Sequence, residues 1–347
     1  MAARSHIKVM LLGAIAASGM TAASAAPGAM VAASVPSATM TRLLDYVRGQ
    51  NTTGFLVVQA GKVLIEKNWP APTGDPAFAN FVYERASDGA LLEDVASQQK
   101  SFVSVLIAVA IDKGLLDVGK PVSDYIGTGW SKATPEQEAK IRVIDVLTMS
   151  SGLDRKFNYA VPAGTHFLYN TQVYAITKRI VATAAHQPLE TITRDWLTNP
   201  VGMTATAWRK RPIALASVGN DTGLVTSPRD IAKFGLMILH GGVAENGKRV
   251  VSQRNLAAMF TRSATNPAYG RLWWLNGSAY TIGAHADRRE GPLVAAAPAD
   301  MVAALGAFDR QLYIVPSRRL VVVRTGATAA DKDFSQQLWM RLMKVVS

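Results

Sequence analysis

The sequence predicts an α+β fold: one antiparallel sheet built from both chain termini, with a helical region at about 90–265 inserted between them. Three observations carry this. Short β-patterned runs occur at 53–69, similar runs return at 310–326, and the segments between them repeat their apolar residues at helical spacing. The 347 residues, 49% hydrophobic and 18% charged, supply enough apolar material for one large domain or two lobes sharing a cleft.

Taken in order, TRLLDYVRGQ places Leu43, Leu44 and Val47 on one helical face. TGFLVVQAGKVLIEKNW then reads as a hairpin broken at Ala60-Gly61. FVSVLIAVAI, residues 102–111, is apolar on every side, so a helix there must be buried all round. In TPEQEAKIRVIDVLTMSSGL, Thr134 and Pro135 open a helix and Gly152 is placed to stop one. NTQVYAITKRIVATAA and SPRDIAKFGLMILHGG are both helical. The second has Ser227 as N-cap, Pro228 in the first turn and Gly241-Gly242 as terminator. RQLYIVP and RRLVVVRTG flank a Pro316-Ser317 turn as a second hairpin, and DFSQQLWMRLMKVV closes the chain as a helix.

The first residues read as a leader rather than as part of the fold. Arg4 and Lys8 precede an apolar run that ends in the small-x-small site Ala23-Ser24-Ala25. Gly13, Ser18, Gly19 and Thr21 interrupt that run, which is short for a membrane span. We therefore expect a signal peptide at 1–25, a linker at 26–39 and a single domain at 40–347. The mature protein would be periplasmic or secreted, without stable membrane insertion. The chain has no cysteine, which excludes disulfides, thiolate catalysis and thiolate metal sites. The formal charge of +12 falls to +10 once Arg4 and Lys8 leave with the leader. The basic residues are scattered, and WRKRP at 208–212 is the one tight cluster, read as solvated surface; association with anionic cell-wall polymers fits that charge. No basic stripe with a recognisable module points to nucleic acid.

Ser97-Gln98-Gln99-Lys100 stands at the head of the apolar segment. Three residues apart on a helix, Ser97 and Lys100 share a face, and Asp94 as N-cap would put Ser97 in the first turn, where free N–H groups favour developing negative charge. A serine hydroxyl needs a base, and a lysine is a base only when neutral; burial beside an apolar helix favours that form. Tyr169-Asn170-Thr171 opens another apolar helix. Tyr169 there fits either a proton relay or core packing, and Asn170 a helix cap. His6, His166, His186, His240 and His285 show no metal-ligand spacing, and the chain lacks a Gly-x-Ser-x-Gly elbow.

ASQQKSFVSVLIAVAIDKGLLDVGKPVSDYI resembles the Ser-x-x-Lys segment of the serine β-lactamase-related hydrolases. These include class C β-lactamases, D-Ala-D-Ala peptidases, esterases of β-lactamase fold and 6-aminohexanoate-dimer hydrolase. VIDVLTMSSGLD, PAGTHFLYNT, NPVGMTATAW, GLVTSPRDIAKFGLMILHGG and RQLYIVPSRRLVVVRTG follow in family order, so the likeness covers about 40–345. The resemblance implies a β-lactamase/transpeptidase-like fold, with Ser97 as acylated nucleophile, Lys100 as proton acceptor and Tyr169 as proton relay. It also implies an oxyanion hole made by the Ser97 amide and an edge-strand amide, and no metal or organic cofactor.

Two departures bear on substrate. Relatives acting on β-lactams carry Tyr-x-Asn, but Thr171 holds the third position here; they also carry Lys-Thr-Gly on the strand beside the nucleophile, where this chain offers Ala304-Leu305-Gly306. Thr171, Ala304 and Gly306 thus become the candidate substrate-binding residues. A third motif without lysine lacks a fixed cation for a carboxylate, which favours small neutral esters or linear amides. Weak β-lactamase or D-Ala-D-Ala peptidase activity is one alternative, and a non-catalytic binding or sensor protein of the same fold another. RKFNYAV is a brief excursion between two motifs. The missing cleft wall is either absent or supplied by the loop-like stretch 276–300.

Overall fold

The computed structural model describes residues 31–32, 38–216 and 220–346. The expected leader at 1–25 lies outside the described residues, as does most of the linker at 26–39. Of that linker, Val31–Ala32 form a short strand and Ala38 already opens a helix. No helix among the described residues is long and apolar enough to cross a membrane.

Three groups of strands follow one another along the chain. The N-terminal group is β1 (Val31–Ala32), β2 (Thr52–Gln59) and β3 (Lys62–Asn68). A middle group comprises β4 (Val82–Arg85), β5 (Leu91–Asp94), β6 (Ala207–Lys210) and β7 (Thr222–Thr226). Then come β8 (Trp274–Leu275), the hairpin β9 (Tyr280–Ile282) and β10 (Arg288–Glu290), and the C-terminal run β11 (Val302–Gly306), β12 (Arg310–Val315) and β13 (Leu320–Gly326). The main sheet has the order β1-β3-β2-β13-β12-β11-β8. Its centre is the antiparallel pairing of N-terminal β2 with C-terminal β13, Val57 opposite Val322 and Val58 opposite Val321. The sheet is built from both ends of the chain, as the sequence predicts.

Every residue of β2 and β13 is buried, so both faces of the sheet are covered. Side chains alternate across a strand, and the two helical layers divide accordingly. The helix Pro228–Leu239 reaches Leu312 and Val321, while Tyr313, one residue on, meets Trp339 of the C-terminal helix edge to face at 5.5 Å. The principal helices are α1 (Ala38–Arg48), α2 (Gln99–Asp112), α3 (Thr171–Ala185), α4 (Pro228–Leu239) and α5 (Phe334–Leu342). Gly235 of α4 lies so close to the sheet that a Cβ would sit 2.7 Å from Val321 Cγ1. Ser227 caps α4 by accepting from the Asp230 amide at 3.2 Å, with Pro228 in the first turn, as the sequence indicates.

Helix α2 is buried from Gln99 through Ala110, the all-round burial its composition demands. Each fully buried leucine, isoleucine, valine or phenylalanine contributes about 1.5–3 kcal/mol relative to exposure. Polar anchors fix its position: Ser101 and Ser104 donate to the carbonyls of Leu272 and Arg271 at 2.8 and 2.6 Å.

Two expectations change. The region expected to be helical contributes β5, β6 and β7 to a four-stranded antiparallel sheet, order β4-β5-β7-β6. Its inner strands β5, Leu-Leu-Glu-Asp, and β7, Thr-Gly-Leu-Val-Thr, are too short and too mixed in polarity to show a strand period. The helix opened by Thr134 closes at Glu138, and a second runs only from Val143 to Leu147, so Gly152 stops neither. Gly152 instead turns the chain at φ +76°, where the Val161 carbonyl leaves no room for a Cβ.

Candidate active site

Ser97 lies in a single 3-10 turn, Ala96–Gln98, between the end of β5 and the start of α2. Ala96 adopts φ +51°, a left-handed conformation that costs a non-glycine residue about 1–2 kcal/mol. Asp94 does not cap α2 as the sequence suggested; its Oδ1 accepts from the Ala96 amide at 2.8 Å and so holds this turn. Ser97 itself is half-buried and lines a cavity of about 680 Å³.

Lys100 follows in the first turn of α2, with 2% of its surface exposed. Its Nζ lies 2.9 Å from Ser97 Oγ and 3.2 Å from Thr171 Oγ1. The rings of Tyr169 and Tyr174 stand 4.9 and 4.6 Å from the same nitrogen. Burial pulls the Lys100 pKa well below its ordinary value, and the positive charges of Arg211 and Lys178 push it the same way. Tyr169 is half-buried on the cavity wall, stacked on Trp274 at 5.6 Å. Burial raises its pKa to about 12, and a hydrogen bond with Ser97 acts in the opposite direction.

Asn170 caps α3: its Oδ1 accepts from the Val173 amide at 3.2 Å, and its Nδ2 donates to Leu153 and Asp154 carbonyls. Thr171, the first residue of α3, lines the cavity through its contact with Lys100.

On the opposite wall, Gly306 at the end of β11 sits against the nucleophile turn. A Cβ there would lie 2.3 Å from the Val95 carbonyl. The amides of Ser97 and of Ala307, the next residue after Gly306, have no hydrogen-bond partner among the described residues. Ala304 is placed differently from the sequence expectation. It is fully buried, its carbonyl accepts from Gln98 Nε2 at 3.3 Å, and Leu305, Gly306 and Ala307 face the cavity in its stead.

The stretch 276–300 supplies the missing wall. It folds as the β9–β10 hairpin, and Thr281, His285, Arg289 and Leu293 line the cavity. His166 is exposed and lies outside that lining.

The third motif brings no cation to the cavity, but other elements bring positive side chains to its lining. Arg155, Arg211 and Arg289 line it together with Lys100, and no aspartate or glutamate does. Arg211 also corrects the reading of WRKRP as solvated surface. It is 7% exposed and donates to Asp94 from Nε at 2.7 Å and from Nη2 at 3.0 Å. Trp208 of the same cluster is buried under the Lys178 ammonium, 4.4 Å from its ring. Sequence reasoning missed Arg155, Lys178, Arg211, Asn220 and Arg289. No local pattern marked them: alternation from an inward Trp208 would place Lys210, not Arg211, on the inward face. Among the described residues no cluster of His, Asp and Glu has metal-holding geometry.

Comparison with known proteins bears on this arrangement. The family model described as Beta-lactamase matches residues 44–343. The 6-aminohexanoate-dimer hydrolase of Paenarthrobacter ureafaciens is 24% identical, and the match covers 65% of this chain and 65% of that enzyme, just under two thirds of its length. A crystal structure of a family VIII carboxylesterase superposes with a TM-score of 0.64 at 14% identity, over 90% of this chain and 99% of that one. A β-lactamase/D-alanine carboxypeptidase from Pseudomonas syringae gives a TM-score of 0.62 at 16% identity, over 88% and 97%. The fold is therefore β-lactamase/transpeptidase-like, with the mixed helices and antiparallel sheets described above.

Proposed function

The chain belongs to the beta-lactamase family, and on that premise we propose that it is an exported serine hydrolase that cleaves small esters or linear amides through an acyl-enzyme on Ser97. The observation that carries this reading is the 2.9 Å contact between Ser97 Oγ and a buried Lys100 with no carboxylate beside it. A buried lysine among other cations is held toward the neutral amine, the form able to take a proton.

In the first half-reaction, Ser97 Oγ attacks the substrate carbonyl carbon as its proton passes to Lys100 Nζ. The carbonyl oxygen becomes an oxyanion and accepts from the free Ser97 and Ala307 amides. Collapse breaks the bond to the leaving group. Tyr169, with its hydroxyl at Ser97, hands a proton to the departing oxygen or nitrogen and recovers one from Lys100. In the second half-reaction a water molecule gives its proton to the neutral lysine and attacks the acyl carbon. Ser97 Oγ leaves with a proton, and the acid is released. Thr171 holds Lys100 in register through its hydroxyl.

The family's hydrolase and carboxylesterase members support the choice of esters and amides. The test is hydrolysis of nitrophenyl butyrate. We expect the wild type to turn it over, Ser97→Ala to fall to background, and Tyr169→Phe to lose a factor of about 100 or more in kcat. Equal rates for wild type and Ser97→Ala would remove the acyl-enzyme.

A further inference from the structure

The Ala307 amide, the second oxyanion donor of the proposed reaction, lies on a three-residue turn, 307–309. The turn joins Gly306 of β11 to Arg310 of β12, which pair across the hairpin. Phe308 and Asp309 both hold left-handed backbone, at φ +62° and +55°, a conformation that favours glycine, and this turn has none. Two fully buried arginines grip it from the core side. Arg310 Nη1 donates to the Ala307 carbonyl at 3.0 Å, and Arg324 Nη1 donates to the carbonyls of Phe308 and Asp309 at 2.6 and 3.2 Å.

Arg310 is in turn tied to β5. Its Nη2 lies 3.0 Å from Glu93 Oε2, with neither side chain exposed. The rings of Phe78, Phe81 and Phe308 stand 5.4, 4.7 and 5.3 Å from its guanidinium carbon and enclose it. The other Glu93 oxygen accepts from Thr53 of β2, whose hydroxyl meets that of Thr325 of β13 at 3.0 Å. Glu93 thus joins the small sheet to the centre of the main one and, through Arg310, to the Ala307 turn. Its neighbour Asp94 points to the other side of β5 and holds the Ala96 amide before Ser97. Adjacent carboxylates of one strand therefore anchor the backbone beside both oxyanion donors. A buried ion pair contributes little net stability, because desolvating two charges offsets their attraction. What this pair supplies is position.

We infer that Arg310 is a positioning residue of the acyl-transfer reaction, held by Glu93 and in turn holding the Ala307 amide at the oxyanion. Arg310 is fully buried and off the cavity lining, so it acts only through the turn. The inference rests on the acyl-enzyme reading above.

The test is a double variant, Glu93→Gln with Arg310→Met, which removes both charges and leaves Thr53 an acceptor. Replacing a buried ion pair by uncharged groups of similar size is commonly neutral or stabilising, so Tm should not fall. On nitrophenyl butyrate, kcat should fall by about ten- to a hundredfold, the cost of misplacing a reacting group by up to about 1 Å, with KM within about twofold. The rate of Ser97 labelling by a fluorophosphonate should fall with kcat, because its phosphoryl oxygen uses the same two donors. A pair that serves structure alone would leave both rates unchanged in a folded variant. Should the double variant not fold, Arg310→Lys carries the test. It keeps a charge beside Glu93 but replaces the planar fork by a rotating ammonium, so kcat should fall by a smaller factor at unchanged KM.

A folded double variant with wild-type kcat and labelling rate overturns the inference, and so does an Arg310→Lys enzyme with wild-type kcat. Labelling of the wild type separates the two readings. If Ser97 is labelled and the variants match it, the positioning inference alone fails. If wild type is not labelled, the acyl-enzyme reading beneath it has failed.

Discussion

Asp94 and Arg211 form a buried bidentate pair, Nε to Oδ2 at 2.7 Å and Nη2 to Oδ1 at 3.0 Å, and the pair joins the nucleophile turn to the cation wall of the cavity. Asp94 simultaneously holds the Ala96 amide, so one carboxylate fixes both the backbone before Ser97 and the guanidinium that repels a charged Lys100. The approach leaves no space at Gly223, where a Cβ would meet Asp94 Oδ2.

That link predicts a pH effect. Lys100 acts as a base only when neutral, so activity rises with pH as its ammonium loses the proton. Removing the Arg211 charge lets Lys100 hold that proton more tightly, and the unpaired Asp94 carboxylate adds to the effect. Arg211→Met should therefore shift the acidic limb of kcat/KM to higher pH, read from a full pH-rate profile. A limb that stays in place while activity falls would mean that Arg211 acts only on structure.

Lys178 predicts the pH dependence of stability. Burial lowers its pKa from 10.5 to about 7, with Arg211 adding repulsion and Asp94 partly offsetting it. Between those two values the unfolded chain binds more protons than the folded one, so stability rises with pH. The contribution is complete above the unfolded pKa and is lost as pH falls through about 7. Thermal unfolding from pH 6 to 10, roughly the range these values bracket, should show a shallower rise in Tm for Lys178→Met than for wild type. Parallel curves would assign the rise to other groups.

Gly306 predicts a separation of activity from stability. A methyl group there would lie 2.3 Å from the Val95 carbonyl and 3.3 Å from the Gln98 amide, pressing β11 away from the nucleophile turn. A displacement of about 1 Å at reacting groups can cost a factor of about 100. Gly306→Ala should lower kcat by about that factor while circular dichroism shows a folded protein.

What was legible in the sequence follows the range of the interactions involved. Ser97 and Lys100 share a helix face at a spacing of three, and the Ser227 cap and the Pro316-Ser317 turn are set by neighbours in the chain. Local patterning was sufficient for these. A sheet joining β2 and β13 could be anticipated because each carries a four-residue apolar run, Phe55–Val58 and Leu320–Val323, at opposite ends of the chain. The small sheet escaped notice because β5 and β7 are four and five residues long, too short to show a period. Arg211 escaped for a different reason. Its partner is 117 positions away, and in sequence a buried arginine looks like its solvated neighbours Arg209 and Lys210. Asn220 and Lys178, 42 positions apart, are hidden in the same way. Of the stretch singled out on β11, the cavity face falls to Leu305 and Gly306 with Ala307 beyond them, because Ala304 is buried in the core.

The central claim is that Ser97 is an activated nucleophile, and intact mass spectrometry after treatment with a fluorophosphonate tests it most directly. The account predicts one adduct on the wild-type protein, none on Ser97→Ala, and a labelling rate that rises with pH as Lys100 becomes neutral. A folded wild type that gains no adduct, or a Ser97→Ala variant that gains the same one, would contradict it.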